Sequence, residues 1–110
     1  MKLRIEDAWS PDPDPTDVTS FDLLVQVALA EVGKSGHEVF SFRVCSSDLL
    51  AEQPEPRFIS HTLVLPKFSW PTVSGRIERL LAQVDGAANW ADAILILAPY
   101  LRHNDSRLAV

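Results

Sequence analysis

The stretch ALAEVGKSGHEVF, residues 28–40, decides the fold. Ala28 to Ser35 fit a loosened phosphate-loop pattern: Ala or Gly, four free positions, then Gly-Lys and a hydroxyl residue. A phosphate loop ends a strand and opens a helix, so that backbone amides and the helix N-terminus converge on the phosphates. The residues after Ser35 are HEVFSFRVC, which alternate as a strand does and supply no helix N-terminus. Ala28 falls in mid-strand, and the best candidate for a magnesium-holding strand, ILILAPY, ends in Ala-Pro rather than Asp. The stretch therefore reads as an outgoing strand, a turn bounded by Gly33 and Gly36, and a returning strand.

On the outgoing side, Phe21, Leu23, Val25, Val27 and Leu29 share one face, and Asp22, Leu24, Gln26, Ala28 and Ala30 share the other. On the returning side, Phe40, Phe42 and Val44 oppose Ser41, Arg43 and Cys45. Upstream, Lys2 to Trp9 reads as a half-buried strand with Leu3, Ile5 and Trp9 on one face. SPDPDPTD, residues 10–17, follows it. Three prolines deny this segment regular hydrogen bonding, so it is an extended acidic loop, either a linker or a recognition edge.

Downstream, DLLAEQPEP holds a helical turn that Pro54 and Pro56 stop. Arg57 to Leu65 is a fourth strand ended by Pro66. The period then changes. Val73, Ile77, Leu80, Leu81 and Val84 fall at helical spacing, with a start at Pro71 or Thr72 and Gly86 as a left-handed cap. A second helix opens at Asn89 as N-cap, with Trp90, Ala93, Ile94, Leu97 and Leu101 as its buried stripe. The tail after His103 reads as loose. Strands followed by helices predict an α+β domain spanning residues 1–110: an antiparallel sheet of about four strands with two C-terminal helices on one face.

Apolar residues make up 46% of the 110, enough for one core and too few residues for a second. The longest apolar run is far below the roughly 20 residues of a membrane helix, and no cationic segment precedes an apolar run at the N-terminus. A single cysteine excludes an intramolecular disulfide and suits a reducing cytoplasm. The net charge of −5 is unevenly placed: residues 1–60 carry 11 acids against five bases, and residues 61–110 carry four acids against five bases. An acidic N-terminal half disfavours nucleic acid as the partner and favours a basic protein. Arg57, Lys67, Arg76 and Arg79 form only a modest basic patch.

Candidate catalytic groups are few. Cys45 with His37 or His61 is a possible thiol–imidazole pair, yet His37 lies about 26 Å from Cys45 along a straight strand. His37, His61 and His103 form no i, i+4 pair and no Cys-x-x-Cys accompanies them, which argues against a metal site. No cofactor motif is present. The carboxylates of a proline-rich loop suit contact with a basic partner better than acid–base chemistry. Trp9, Trp70 and Trp90 each sit near an element end, as core residues or as an interface anchor.

The run from Gly33 through Cys45 (GKSGHEVFSFRVC), followed by a later strand, an amphipathic helix and a helix opening on Trp90, resembles the Immunity protein 8 family of bacterial polymorphic-toxin systems. The resemblance covers roughly residues 21–101. Family members often continue after the cysteine with Thr-Pro and then Trp-Leu, where this chain has Ser46-Ser47-Asp48-Leu49-Leu50. It implies a non-catalytic, cytoplasmic protein that binds the C-terminal domain of a cognate toxin, including toxins of contact-dependent growth inhibition. Such toxins are frequently nucleases, tRNA-cleaving ones among them. The family's motif residues read as fold-forming, so the expected toxin-binding residues come from charge and exposure alone: Asp12, Asp14, Asp17, Glu31, Glu38, Asp48, Glu52 and Glu55. A small ligand-binding domain or enzyme using Cys45 or His61, and an acidic interaction adaptor, stand as alternatives.

Overall fold

The alternating runs on either side of Gly33 and Gly36 pair as an antiparallel hairpin. The computed structural model describes residues 1–52 and 59–104. In it β2 (Asp22–Glu31) and β3 (Glu38–Cys45) run in register from Asp22↔Cys45 to Leu29↔Glu38. Gly33 and Gly36 have φ of 82° and 86°, a region where a Cβ is disfavoured. The Lys34 amide donates to the Glu31 carbonyl at 3.1 Å and closes the turn. The phosphate-loop pattern is thus a hairpin tip, with a strand where a helix would have to begin.

β1 (Leu3–Trp9) pairs antiparallel with β2 on its free side. Its register shifts between Ile5 and Asp7: Ile5 faces Leu29, Asp7 faces Ala28, and Glu6 is the extra residue of a bulge. The bulge corrects the expected face of Trp9. Ala8 now pairs with Val27 on the core side, and Trp9 pairs with Gln26 on the opposite face.

On the far side of β3 the chain departs from a purely antiparallel sheet. β4 (Thr62–Val64) runs parallel to β3, with Arg43↔Thr62 and Cys45↔Val64. The segment after Cys45 enters α1 (Ser47–Ala51) and returns before it pairs, so the fourth strand re-enters in the direction of the third. It is shorter than the strand expected over Arg57 to Leu65, of which residues 57 and 58 lie outside the described residues. A fifth strand, β5 (Arg102–His103), pairs antiparallel with Phe40 and Ser41. The Asn104 amide extends it by donating to the Val39 carbonyl at 2.9 Å.

The helices cover one face, as the α+β reading requires. α2 (Trp70–Leu81) begins at Ser69, not at Pro71 or Thr72: the Ser69 hydroxyl accepts the Thr72 amide at 3.1 Å. Gly86 is not a left-handed cap; the helix tightens into a 3-10 turn (Ala82–Val84). α3 (Trp90–Leu97) is capped as expected, with the Asn89 side chain accepting the Asp92 amide at 2.9 Å. Val73, Ile77 and Leu81 of α2 and Ala93 and Leu97 of α3 bury against the inner face of the hairpin. Phe40, Val25, Val27, Leu29 and Val44 are fully buried there. Burying each such side chain stabilises the fold by about 1.5–3 kcal/mol. Leu24 and Val64, on the other face, stay about 40% exposed.

Candidate functional site

Where β1 ends at Trp9, β2 still has strand edge to satisfy, and the acidic loop satisfies it. The Ser10 hydroxyl donates to the Leu24 carbonyl, and the Asp12 carboxylate accepts the Leu24 amide at 3.0 Å. Two side chains thus replace a missing strand. Asp14 accepts the indole N–H of Trp70 at 3.2 Å, tying the loop to the start of α2. Asp17 accepts the Thr19 amide at 2.9 Å and its hydroxyl at 2.7 Å. Asp48, at the start of α1, accepts the Ser20 hydroxyl at 2.7 Å. The loop that three prolines deny regular structure is held by its own carboxylates.

These bonds shape the electrostatics. Hydrogen bonds from Thr19 hold the Asp17 carboxyl below the usual carboxylate range. Bonds from the Ser46 and Ser20 hydroxyls do the same for Asp48. Asp17 and Asp48 are close enough to repel each other, and that repulsion is outweighed. Glu52 follows Asp48 by one helical turn. Asp22 is different: Arg43 clamps it with Nε at 2.6 Å and a terminal nitrogen at 2.5 Å. Among the described residues Asp12, Asp14, Asp17, Asp48 and Glu52 have no cationic partner. They form an acidic end with no ion pair of their own among the described residues.

The other expected contact residues lie elsewhere. Glu31 and Glu38 sit at the hairpin tip, about 30 Å from Asp22 along the nine steps of β2. Each already has an internal partner. Glu31 lies 3.4 Å from Lys34 Nζ, and Glu38 lies 3.1 Å from His103 Nε2, whose ring stacks near Phe40. Glu55 lies outside the described residues. The eight carboxylates therefore do not converge, because β2 separates the acidic end from the tip.

The candidate nucleophile has no access. Cys45 is fully buried, where a thiol packs as a small apolar group. His61 is bound up with the backbone, its Nε2 2.7 Å from the Ala98 carbonyl and its Nδ1 3.3 Å from the Ser60 hydroxyl. Among the described residues no group of three or more His, Cys, Asp or Glu is placed to hold a metal ion. No described helix is long and apolar enough to cross a membrane.

One feature was not expected from sequence. His61 has φ 53°, the left-handed region, which is unusual for a residue other than glycine. Its carbonyl accepts the Arg43 amide at 2.7 Å and starts the β4 pairing. Beside it opens a cleft of about 400 Å³ between the chain at 59–63, one side of α2 and the turn after α3. Arg76, Arg79 and Leu80 of α2, with Gln83 of the 3-10 turn that follows, line it at i, i+3, i+4, i+7 spacing. That spacing was the signal available beforehand, one step around the helix from the buried Val73, Ile77, Leu81 stripe. The basic patch divides accordingly. Arg76 and Arg79 share the cleft, Lys67 is not among its lining, and Arg57 lies outside the described residues.

No curated protein and no solved structure matches the chain. A family model does, over residues 2–103, which takes in β1, the hairpin, both long helices and β5. That span extends beyond residues 21–101, where the motif resemblance lay. The chain belongs to the Immunity protein 8 family and is an immunity protein.

Proposed function

We propose that the chain neutralises a cognate toxin domain by stoichiometric binding, without catalysis, in the cytoplasm of the cell that makes the toxin. The toxin belongs to a contact-dependent growth inhibition system and is a nuclease with a basic substrate groove; tRNA-cleaving nucleases are the first class to test. The acidic end is the contact surface. The observation that carries this reading is the set of Asp12, Asp14, Asp17 and Asp48, each fixed by a hydrogen bond and none paired with a cation among the described residues.

Fixed carboxylates lose little further freedom on binding, so more of their attraction appears as affinity. Facing a groove built for phosphates, they present the same sign of charge on a comparably stiff backbone. Family membership supports a toxin as the partner, and the buried Cys45 leaves no accessible thiol for the enzymatic alternative.

Co-expression with the C-terminal domain of the toxin encoded beside this chain tests the reading. The wild-type chain is expected to bind it one to one and restore growth. Exchanging Asp12, Asp14, Asp17 and Asp48 for Asn keeps every acceptor and removes four charges. That variant is expected to fold normally and bind at least about tenfold more weakly. A wild-type chain that neither binds nor protects ends the proposal.

A further inference from the structure

Of the clefts, charged clusters and exposed faces in the molecule, the cleft beside His61 has the most definite chemistry. It carries two guanidinium groups, Arg76 and Arg79, one turn apart on α2. No Asp or Glu lies among its described lining residues, and neither arginine has an ion pair among the described residues. Its other walls are largely apolar, interrupted by Ser60, His61, Thr62 and Gln83. Ile59 and Tyr100 are each 47% exposed there, with Leu80 and Leu63 behind them. The Ala98 carbonyl that holds His61 fixes the chain at 59–63 against the end of α3, so the walls are preformed.

We propose that this cleft receives an acidic side chain, carried next to an apolar residue, from a loop of the toxin that the acidic end engages. This rests on the immunity reading above. A planar guanidinium matches a carboxylate with two parallel hydrogen bonds. Two such groups, with no Asp or Glu among the described lining residues, leave cationic charge that a carboxylate would neutralise, while Ile59, Leu63, Leu80 and Tyr100 take its neighbour. The cleft would repel a basic nuclease groove, so it belongs to a separate, acidic element of the same partner.

The two surfaces are neighbours on the fold. Thr62 of the cleft pairs with Arg43, two residues from Cys45, which pairs with Asp22 at the acidic end. That is about 7 Å along the strand. Contacts of opposite sign side by side permit one docking orientation and penalise a rotated one. They also let related toxins be told apart, since a toxin without the acid leaves the arginines buried and unpaired.

The test uses the full chain and the purified toxin domain encoded beside it, in a binding titration with the Arg Nε–H signals followed by NMR. In the wild-type complex the Arg76 and Arg79 signals are expected to shift. The pair R76E/R79E is expected to weaken binding by about 10- to 100-fold, and R76K/R79K to weaken it less. Both positions are exposed on α2, so the variants should fold, which circular dichroism checks. Unmoved arginine signals together with wild-type affinity in R76E/R79E would overturn the cleft proposal and leave the acidic end standing. A wild-type chain that does not bind the toxin domain at all ends both.

Discussion

Ser46 shows how single side chains connect the acidic end to the core. It is 2% exposed, its hydroxyl accepts the Phe21 amide at 3.0 Å, and its own amide donates to the Phe21 carbonyl at 2.9 Å. The hairpin ladder therefore continues one step past Asp22↔Cys45, and Asp48 is built on that step through Ser46 and Ser20. Asp17 and Asp48 carry depressed pKa values in the fold, through Thr19 and through the Ser46 and Ser20 hydroxyls respectively. A depressed carboxylate contributes stability that is full above its unfolded value, about 3.9, and is lost as pH falls through the lower folded value. Between pH 5 and 7 these two groups therefore add no pH dependence. Below about pH 4 stability should fall, and in D17N/D48N that acid limb should be shallower. Urea midpoints measured from pH 2 to pH 7 check it; superimposable curves for wild type and variant would count against the hydrogen-bonded carboxylates.

Among the elements, the helices were readable because caps and stripes are local. Asn89 and the Trp90–Leu97 stripe sit where spacing puts them, Leu101 is buried beyond the end of α3, and the 3.6 period of Val73, Ile77 and Leu81 chooses the buried face of α2. α2 starts earlier than its proline suggests, because proline suits the first turn while the hydroxyl two residues before it does the capping. Trp9 lies on the face opposite to the one alternation predicts, because a bulge at Glu6 breaks a period-2 pattern without marking the sequence with Gly or Pro. The direction of β4 depends on the path between Cys45 and Thr62, which alternation cannot encode. Both helices are anchored by one cap each. Ser69→Ala and Asn89→Ala should each cost about 1 kcal/mol, seen as a lower denaturation midpoint with an unchanged m-value. Asn89→Asp should be close to neutral, because it keeps the acceptor.

At the scale of the whole molecule the charge is segregated, and that much was legible in the sequence. The excess of acids in residues 1–60 becomes a patch only because Asp12 and Asp14 fasten the loop to β2 and α2, and because Ser20 brings Asp48 to it across 28 residues. The same fold carries Glu31 and Glu38 away to the hairpin tip, where Lys34 and His103 are their partners. Arg76 and Arg79 line the cleft beside His61. A particle of 40 × 28 × 26 Å with such a division presents its field directionally, so a basic partner is drawn to one end before any contact forms. Screening acts on that approach more than on the docked state, since the Debye length is about 10 Å at 0.1 M salt and about 3 Å at 1 M. Association with the toxin domain should therefore slow by about tenfold or more between 0.05 and 0.5 M salt, with a much smaller change in dissociation. Exchanging Asp12, Asp14, Asp17 and Asp48 for Asn should flatten that dependence, whereas R76E/R79E should leave it or steepen it and act on dissociation instead. Stopped-flow association and dissociation rates across the salt series separate the two; a wild-type association rate indifferent to salt would show that the acidic end does not steer the encounter.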